Sequence, residues 1–449
     1  MNKRIAIIGA GSAVFSLNMI RDICLTPSLH GCTVALMDIS KERLDAIHEL
    51  CARYAAEVGI DLRLEKTSDR REAIRGADVV VNSALAAGHQ RLRDGWEIAR
   101  RHGYRWGGSL HVMHDEAFWI NFYQLRLFEG VIEDMLELAP GAHYIKVANP
   151  VMAGVTHLAR KYPEAKVIGL CHGFGGVYDI ACRLGLTDRD KLSYEIPGVN
   201  HFVWLTQLRY DGQDVMPLLD KWITEQASAF WASTEHHGEL NPKKVDLYRR
   251  MGAFPIGDTA GDGGGSWGWW YHLDDATEQR WQQHPGRFWH SFFTGGEEEV
   301  AEIKRISDDA TIKVTDHFKP VHSHEVIVPV IESLLCDMPR VLIGNVVNRG
   351  DYVPGVPRDF AVEVPIFING GGLHPTQTAG LPPAPLAWLL RDCVAQVNIE
   401  LEAFNTGSRR LLLELIMMDP WTRSMEQAGT LLEEILALPY HADMRSHYH

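Results

Sequence analysis

Short apolar runs alternate with amphipathic stretches through the first 195 residues. RIAIIGA, CTVALMDI, LRLEKT, ADVVVNSAL, HYIKVANP and AKVIGLC each read as a strand. Between the first three, GSAVFSLNMIRDICL and SKERLDAIHELCARYAAEVG read as helices. In the second of these, Leu44, Ile47, Leu50, Cys51 and Tyr54 recur at helical spacing. Strands this short and apolar, separated by helices, belong to a parallel sheet covered on both faces. Six of them fit the doubly wound, Rossmann-type α/β plan.

Beyond Lys191 the pattern lengthens and loses regularity, so a domain boundary is expected at residue 195, with an α+β domain over 196–449. WLTQLRYDGQDVMPLL predicts a hairpin about Asp211-Gly212. Residues 253–272 combine glycines with Trp267, Trp269 and Trp270 and read as a long shaped loop. Its tryptophans either stack on a ligand or fill the core. Residues 295–318 predict a charged helix, 340–374 strands broken by Pro/Gly turns, and 383–438 helices. The closing HADMRSHYH reads as a frayed end with incidental histidines.

The 449 residues suffice for two or three domains. Forty-four basic against 58 acidic residues give a net charge of −14. That argues against nucleic-acid and anionic-membrane partners, which need a basic surface. An anionic substrate would have to meet local cations. No window reaches the length of an apolar membrane span. The apolar run after Met1–Arg4 is too short for a signal peptide and flows into a glycine turn. Seven scattered cysteines do not form a disulfide framework, so a reducing cytoplasm is the expected compartment.

Gly9-Ala10-Gly11-Ser12 lies between a predicted strand and a predicted helix. One glycine permits a tight turn there, and the next permits close backbone approach to a pyrophosphate. The helix N-terminus supplies amide donors. Val14 replaces the usual third glycine. Asp38 ends the second strand, where a carboxylate accepts ribose hydroxyls and repels a 2′-phosphate, so NAD is expected over NADP.

VANP (147–150) resembles the Asn-Pro turn of lactate and malate dehydrogenases. Together with GAGSAVF (9–15), GLCHG (169–173), GVNHFVWL (198–205), NRGDYVPGVPRDFAVEVP (348–365) and EAFNTGSRRLLLELIMMDP (402–420), it resembles glycoside hydrolase family 4 in order along nearly the whole chain. That family is an exception to two-carboxylate glycoside hydrolysis. The resemblance implies NAD-dependent oxidation at sugar C3, deprotonation at C2, elimination, addition of water and re-reduction, with a divalent metal, most often Mn. It also implies a homodimer or homotetramer. The second domain would then carry the substrate and metal sites and the oligomer contacts.

On this resemblance Cys171 and His201 map to metal ligands. A thiolate and an imidazole suit a borderline transition metal. Asn149 maps to a substrate-binding position, with a turn cap before Pro150 as the plainer reading. His172 falls where members carry the group that protonates the leaving oxygen; it either does so or only binds substrate. Asp258 maps to the C2 base, and otherwise caps a glycine loop. Tyr248 and Tyr271 are alternative bases. Cys171-His172-Gly173 resembles the subgroup acting on α-glucuronides or α-galacturonides. A uronate carboxylate would call for an arginine fork, with Arg91, Arg93, Arg105, Arg287 and Arg349 as candidates. The competing readings are a neutral α-galactosidase or α-glucosidase of the same family, a hydroxy-acid or sugar dehydrogenase, and a non-catalytic dinucleotide sensor.

Overall fold

The computed structural model describes residues 3–108, 117–234, 237–261, 263, 267–323 and 325–449. Part of the expected glycine-rich loop, 262 and 264–266, lies outside them. The strands are β1 (Arg4–Ile8), β2 (Thr33–Met37), β3 (Arg63–Thr67), β4 (Val79–Asn82), β5 (His143–Lys146), β6 (Lys166–Gly169), β7 (Leu192–Glu195), β8 (Gly198–Val199), β9 (Phe202–Leu205), β10 (Gln207–Tyr210), β11 (Gln213–Asp214), β12 (Phe254–Ile256), β13 (Arg340–Val347), β14 (Ala361–Asn369) and β15 (Gly372–Pro375).

The first six form a parallel sheet in the order β3-β2-β1-β4-β5-β6, the order of a doubly wound dinucleotide fold. Because such crossovers are right-handed, the two halves place their helices on opposite faces. Helices Ala13–Cys24 and Lys41–Glu57 pack together, as do Phe118–Leu138 and Val151–Lys161. Leu44, Ile47, Leu50, Cys51 and Tyr54 all point into the core, as their spacing requires.

The second half extends this sheet. β13 joins β6 in antiparallel sense, and β14, β8, β9 and β12 follow outward. β7, β10 and β11 form a separate small sheet. Its hairpin turns at Asp211-Gly212, both at positive φ, as expected for a two-residue turn.

One transverse row of register partners links Met37, Ile8, Asn82, Lys146, Gly169, Asn345, Glu363, Gly198, Val203 and Ile256. Gly9, Gly11, Asp38, Asn149, Cys171, His172, His201 and Asp258 each lie within three positions of a member of this row, and Ser12 lies in the turn after β1. The row gives the site its frame.

Three expectations are corrected. Residues 254–256 of the supposed loop are strand, because Phe254 and Ile256 are buried against β9. The charged helix runs over Pro285–Asp308, starting at the helix-compatible proline, and a short separate helix covers Val314–His317. The C-terminal segment is packed rather than frayed. His441 is fully buried and Tyr448 nearly so, and Tyr123 Oη lies 2.8 Å from His441 Nδ1.

His441 Nε2 is buried without a partner. Protonation would bury a cation there, near Arg91, so burial lowers its pKa to about 4 from 6.5. Its folded pKa is depressed, so the unfolded chain binds the proton first on acidification. The stability contributed by neutral His441 is complete above about pH 6.5 and fades toward pH 4, by about 2–3 kcal/mol at most. Thermal unfolding of wild type and His441→Gln between pH 7 and 4 should show a shallower loss in the variant. Parallel curves would remove His441 as a cause.

Candidate active site

The dinucleotide crevice is shaped by the turn after β1. Gly9 sits at φ +87°, and a Cβ there would lie 2.5 Å from the Ala84 backbone. A Cβ on Gly11 would lie 2.6 Å from Asp38 Oδ2. Asp38 Oδ2 instead accepts from Gly11 N at 2.8 Å, and Oδ1 accepts from Ser40 N at 2.8 Å. These bonds fix the carboxylate at the end of β2 while leaving it half-buried. Ser12 is exposed and makes no side-chain cap on helix Ala13–Cys24. The cradle and the uncapped helix start fit a pyrophosphate.

The turn after β5 is held from beneath. Buried Lys146 donates from Nζ to Ala148 O (2.7 Å) and to Pro150 O, and Gln124 Nε2 donates to Asn149 O at 2.8 Å. Asn149 remains half-buried at the rim. Ile8 and Gly169 are three strand spacings apart, about 14 Å at the usual ~4.8 Å. The crevice therefore leads from Gly9 to the end of β6.

Cys171 stands two residues beyond that end. His201 occupies the two-residue turn between β8 and β9 at φ +60°. Asp258 follows β12. Cys171 Sγ, a His201 ring nitrogen and an Asp258 carboxylate oxygen lie within 4.8 Å of one another. His201 Nε2 is 3.7 Å from Asp258 Oδ2; the histidine side chain is 5% exposed and the carboxylate 47%. A thiolate, an imidazole and a carboxylate converging this closely fit a borderline divalent metal and leave coordination positions open. The sequence reading named two of these donors as ligands; the geometry makes Asp258 available as a third.

The loops bearing Cys171 and Asp258 touch. Gly257 is at φ +56°, and a Cβ on it would lie 2.3 Å from Gly173 O. Beneath them sits a buried ion pair. Lys244 Nζ contacts both Glu239 carboxylate oxygens at 2.9 Å and donates to Gly257 O at 2.7 Å. Glu239 Oε2 accepts from Gly257 N at 3.1 Å. Burial pushes the Glu239 pKa upward against the pull of Lys244. Thr259 Oγ1 both accepts from Val203 N and donates to Val203 O, at 2.8 Å each. That ties the Asp258 loop to the His201 hairpin.

Not every expected residue converges. His172 is exposed, its ring 5.6 Å from that of Phe174, and it stands outside the three-donor cluster. Tyr248 donates to Asp220 (2.8 Å) and Tyr271 to Asp246 (2.5 Å), and burial with these carboxylates raises both phenol pKa values. That keeps both phenols protonated near neutral pH, donating to carboxylates rather than free to accept a proton. Arg91 lies over Tyr123 and Tyr440, Arg93 over Phe293, and Arg105 pairs with Asp275 and Glu278. Arg287 and Arg349 are exposed. Trp267 and Trp270 pack with Trp204 and Trp388, and Trp269 with Trp421. They fill the core. The supporting Glu239, Lys244, Asn200, Asn345 and Glu363 were not anticipated, although a glutamate inside the apolar strand FAVEVP breaks its pattern.

Fold and cluster together define a dinucleotide-type α/β protein with a candidate divalent-metal centre at its sheet edge. The chain belongs to glycosyl hydrolase family 4: it matches the family 4 glycosyl hydrolase model over residues 4–186 and the model of the family's C-terminal domain over 196–422. It is 26% identical to an α-galactosidase of Bacillus subtilis, covering 99% of this chain and all of the relative. It is 24% identical to an α-galacturonidase of Thermoanaerobacterium saccharolyticum, covering 96% and 94%. Its fold matches the crystal structure of a 6-phospho-α-glucosidase from gut microorganisms in complex with NAD and Mn2+. The TM-score is 0.80 at 18% identity, with 98% of each chain covered. Among the described residues, no helix is long and apolar enough to cross a membrane.

Proposed function

We propose that the chain hydrolyses α-linked hexuronides, α-glucuronides or α-galacturonides. NAD would be held at Gly9, Gly11, Ser12 and Asp38, and a divalent metal, manganese foremost, at Cys171 and His201. The convergence of Cys171, His201 and Asp258 within 4.8 Å carries this reading. When bound there, NAD would supply reversible hydride transfer and the metal would supply Lewis acidity. Asp258 takes the C2 proton; its carboxylate is half open to solvent, whereas His201 is buried. His172, exposed on the adjoining turn, supplies a proton to the leaving oxygen. Asn149 orients a sugar hydroxyl from the Lys146-held turn.

The Cys171-His172-Gly173 turn and the α-galacturonidase relative support the uronide preference. The α-galactosidase relative supports a second reading, a neutral α-galactoside. The engagement of Arg91, Arg93 and Arg105 by other groups is compatible with that reading as well.

Purified protein with NAD, Mn2+ and a reductant should release phenol from an aryl α-glucuronide or α-galacturonide without accumulating NADH. At least a tenfold preference over the aryl α-galactoside is expected. The reverse preference replaces the uronide reading with the neutral one. NADH growing in step with substrate loss would point to a dehydrogenase instead.

A further inference from the structure

The transverse row carries a buried carboxylate. Glu363, in the middle of β14, is fully buried in the sheet that links all three donor loops. Its Oε2 accepts from Asn345 Nδ2 at 2.9 Å and from Asn200 Nδ2 at 3.1 Å. Asn345 is the register partner of Gly169, two residues before Cys171, and its Nδ2 also lies 3.4 Å from Gly169 O. Asn200 is the other half of the two-residue turn that holds His201.

We propose that Glu363 is a positioning residue: one carboxylate oxygen ties the Cys171 strand, through Asn345, to the His201 turn, through Asn200, and so sets the gap between thiolate and imidazole. The need for such a tie follows from the backbone. A non-glycine residue at φ +60° is strained and persists only where neighbours impose it. The β8–β9 turn has only two residues, and β8 meets β14 at the single pair Glu363–Gly198. Asn200 is 1% exposed. Its bond to Glu363 is a side-chain contact that anchors this turn to the sheet. Groups that orient metal ligands typically change metal affinity 10–100-fold when removed.

The inference rests on reading the cluster as a metal site, and the test keeps the two apart. Chelator-stripped full-length protein is titrated with Co2+, following the thiolate-to-cobalt absorption band, with thermal unfolding as the fold control. Wild type should show the band, and Cys171→Ser should lack it; if wild type shows none, the metal site itself is wrong. Glu363→Met keeps the shape but accepts no hydrogen bond, and should bind Co2+ about 10–100-fold more weakly with a shifted band. Glu363→Gln retains an acceptor oxygen and should stay within about threefold of wild type. Asn200→Ala, which cuts the tie on the turn side alone, should follow Glu363→Met even where the latter does not fold. Wild-type affinity and band position in Asn200→Ala would overturn the proposal while leaving the metal site standing. So would a Glu363→Gln variant that falls as far as Asn200→Ala.

Discussion

Cys171→Ser should remove all but about one part in 10³ of glycosidase turnover while shifting stability by less than about 0.5 kcal/mol. The two halves of this expectation have separate causes. A serine hydroxyl stays protonated near neutral pH and is a poor partner for a transition metal, whereas a thiolate is a strong one. With Cys171 gone, His201 is left as the single assigned ligand, with the Asp258 carboxylate nearby. The fold hardly depends on the thiol. Cys171 is half-buried at the mouth of β6 and outside the apolar core. Its one recorded hydrogen bond is a 3.5 Å contact from Gly173 N. Cys24, Cys32 and Cys51, which are fully buried, would be costlier to replace. Turnover of the aryl glycoside, Mn2+ affinity by calorimetry and the melting temperature separate the two effects. Full activity would end the assignment of Cys171 as a ligand. Lost activity with unchanged Mn2+ affinity would move it from metal binding to substrate contact.

The parts of this site that were legible in sequence are those where one local pattern serves one purpose. Gly9 and Asp38 could be read because strand, turn and helix lie within one short stretch. The structure adds that Asp38 also buttresses Gly11. Cys171 could be read as a ligand through the family resemblance, and its place at a strand end of a parallel sheet, where ligands gather, agrees with that. His201 was harder. GVNHFVWL looks like one strand, and only the positive φ of His201 reveals a turn that doubles it back. Nothing local encodes that the β8–β9 hairpin will dock beside β14, four strands along the sheet from β4. Long-range register also hid the supporting polar groups. Lys244 and Glu239 look like surface charges on a polar segment, yet they meet under Gly257 because Gly176 leaves them room. The C-terminal histidines failed for a similar reason. Their partners, Tyr123 and Phe404, stand far away in sequence or on another helix.

Asp258→Asn should lower turnover by about 10²–10⁴, the usual range for loss of a general base, and the pattern of the loss distinguishes base from ligand. The amide cannot take up a C2 proton, so proton abstraction becomes slow in the variant. With a C2-deuterated substrate the primary isotope effect on turnover should then rise or appear. If Asp258 acted chiefly as a third ligand, removing it would weaken Mn2+ binding in step with activity, and excess Mn2+ would restore much of the rate. The geometry favours the first outcome. The carboxylate is 47% exposed and 3.7 Å from His201 Nε2. It is carried on Gly257, whose amide and carbonyl are both fixed by Glu239 and Lys244. That clamp fixes the backbone and leaves the side chain free to face a sugar, the arrangement a base needs when a misplacement of about 1 Å costs about 10²-fold. Rescue by excess Mn2+ with no isotope effect would reassign Asp258 to the metal, leaving exposed His172 as the titratable group of the facing loop that is not assigned as a ligand.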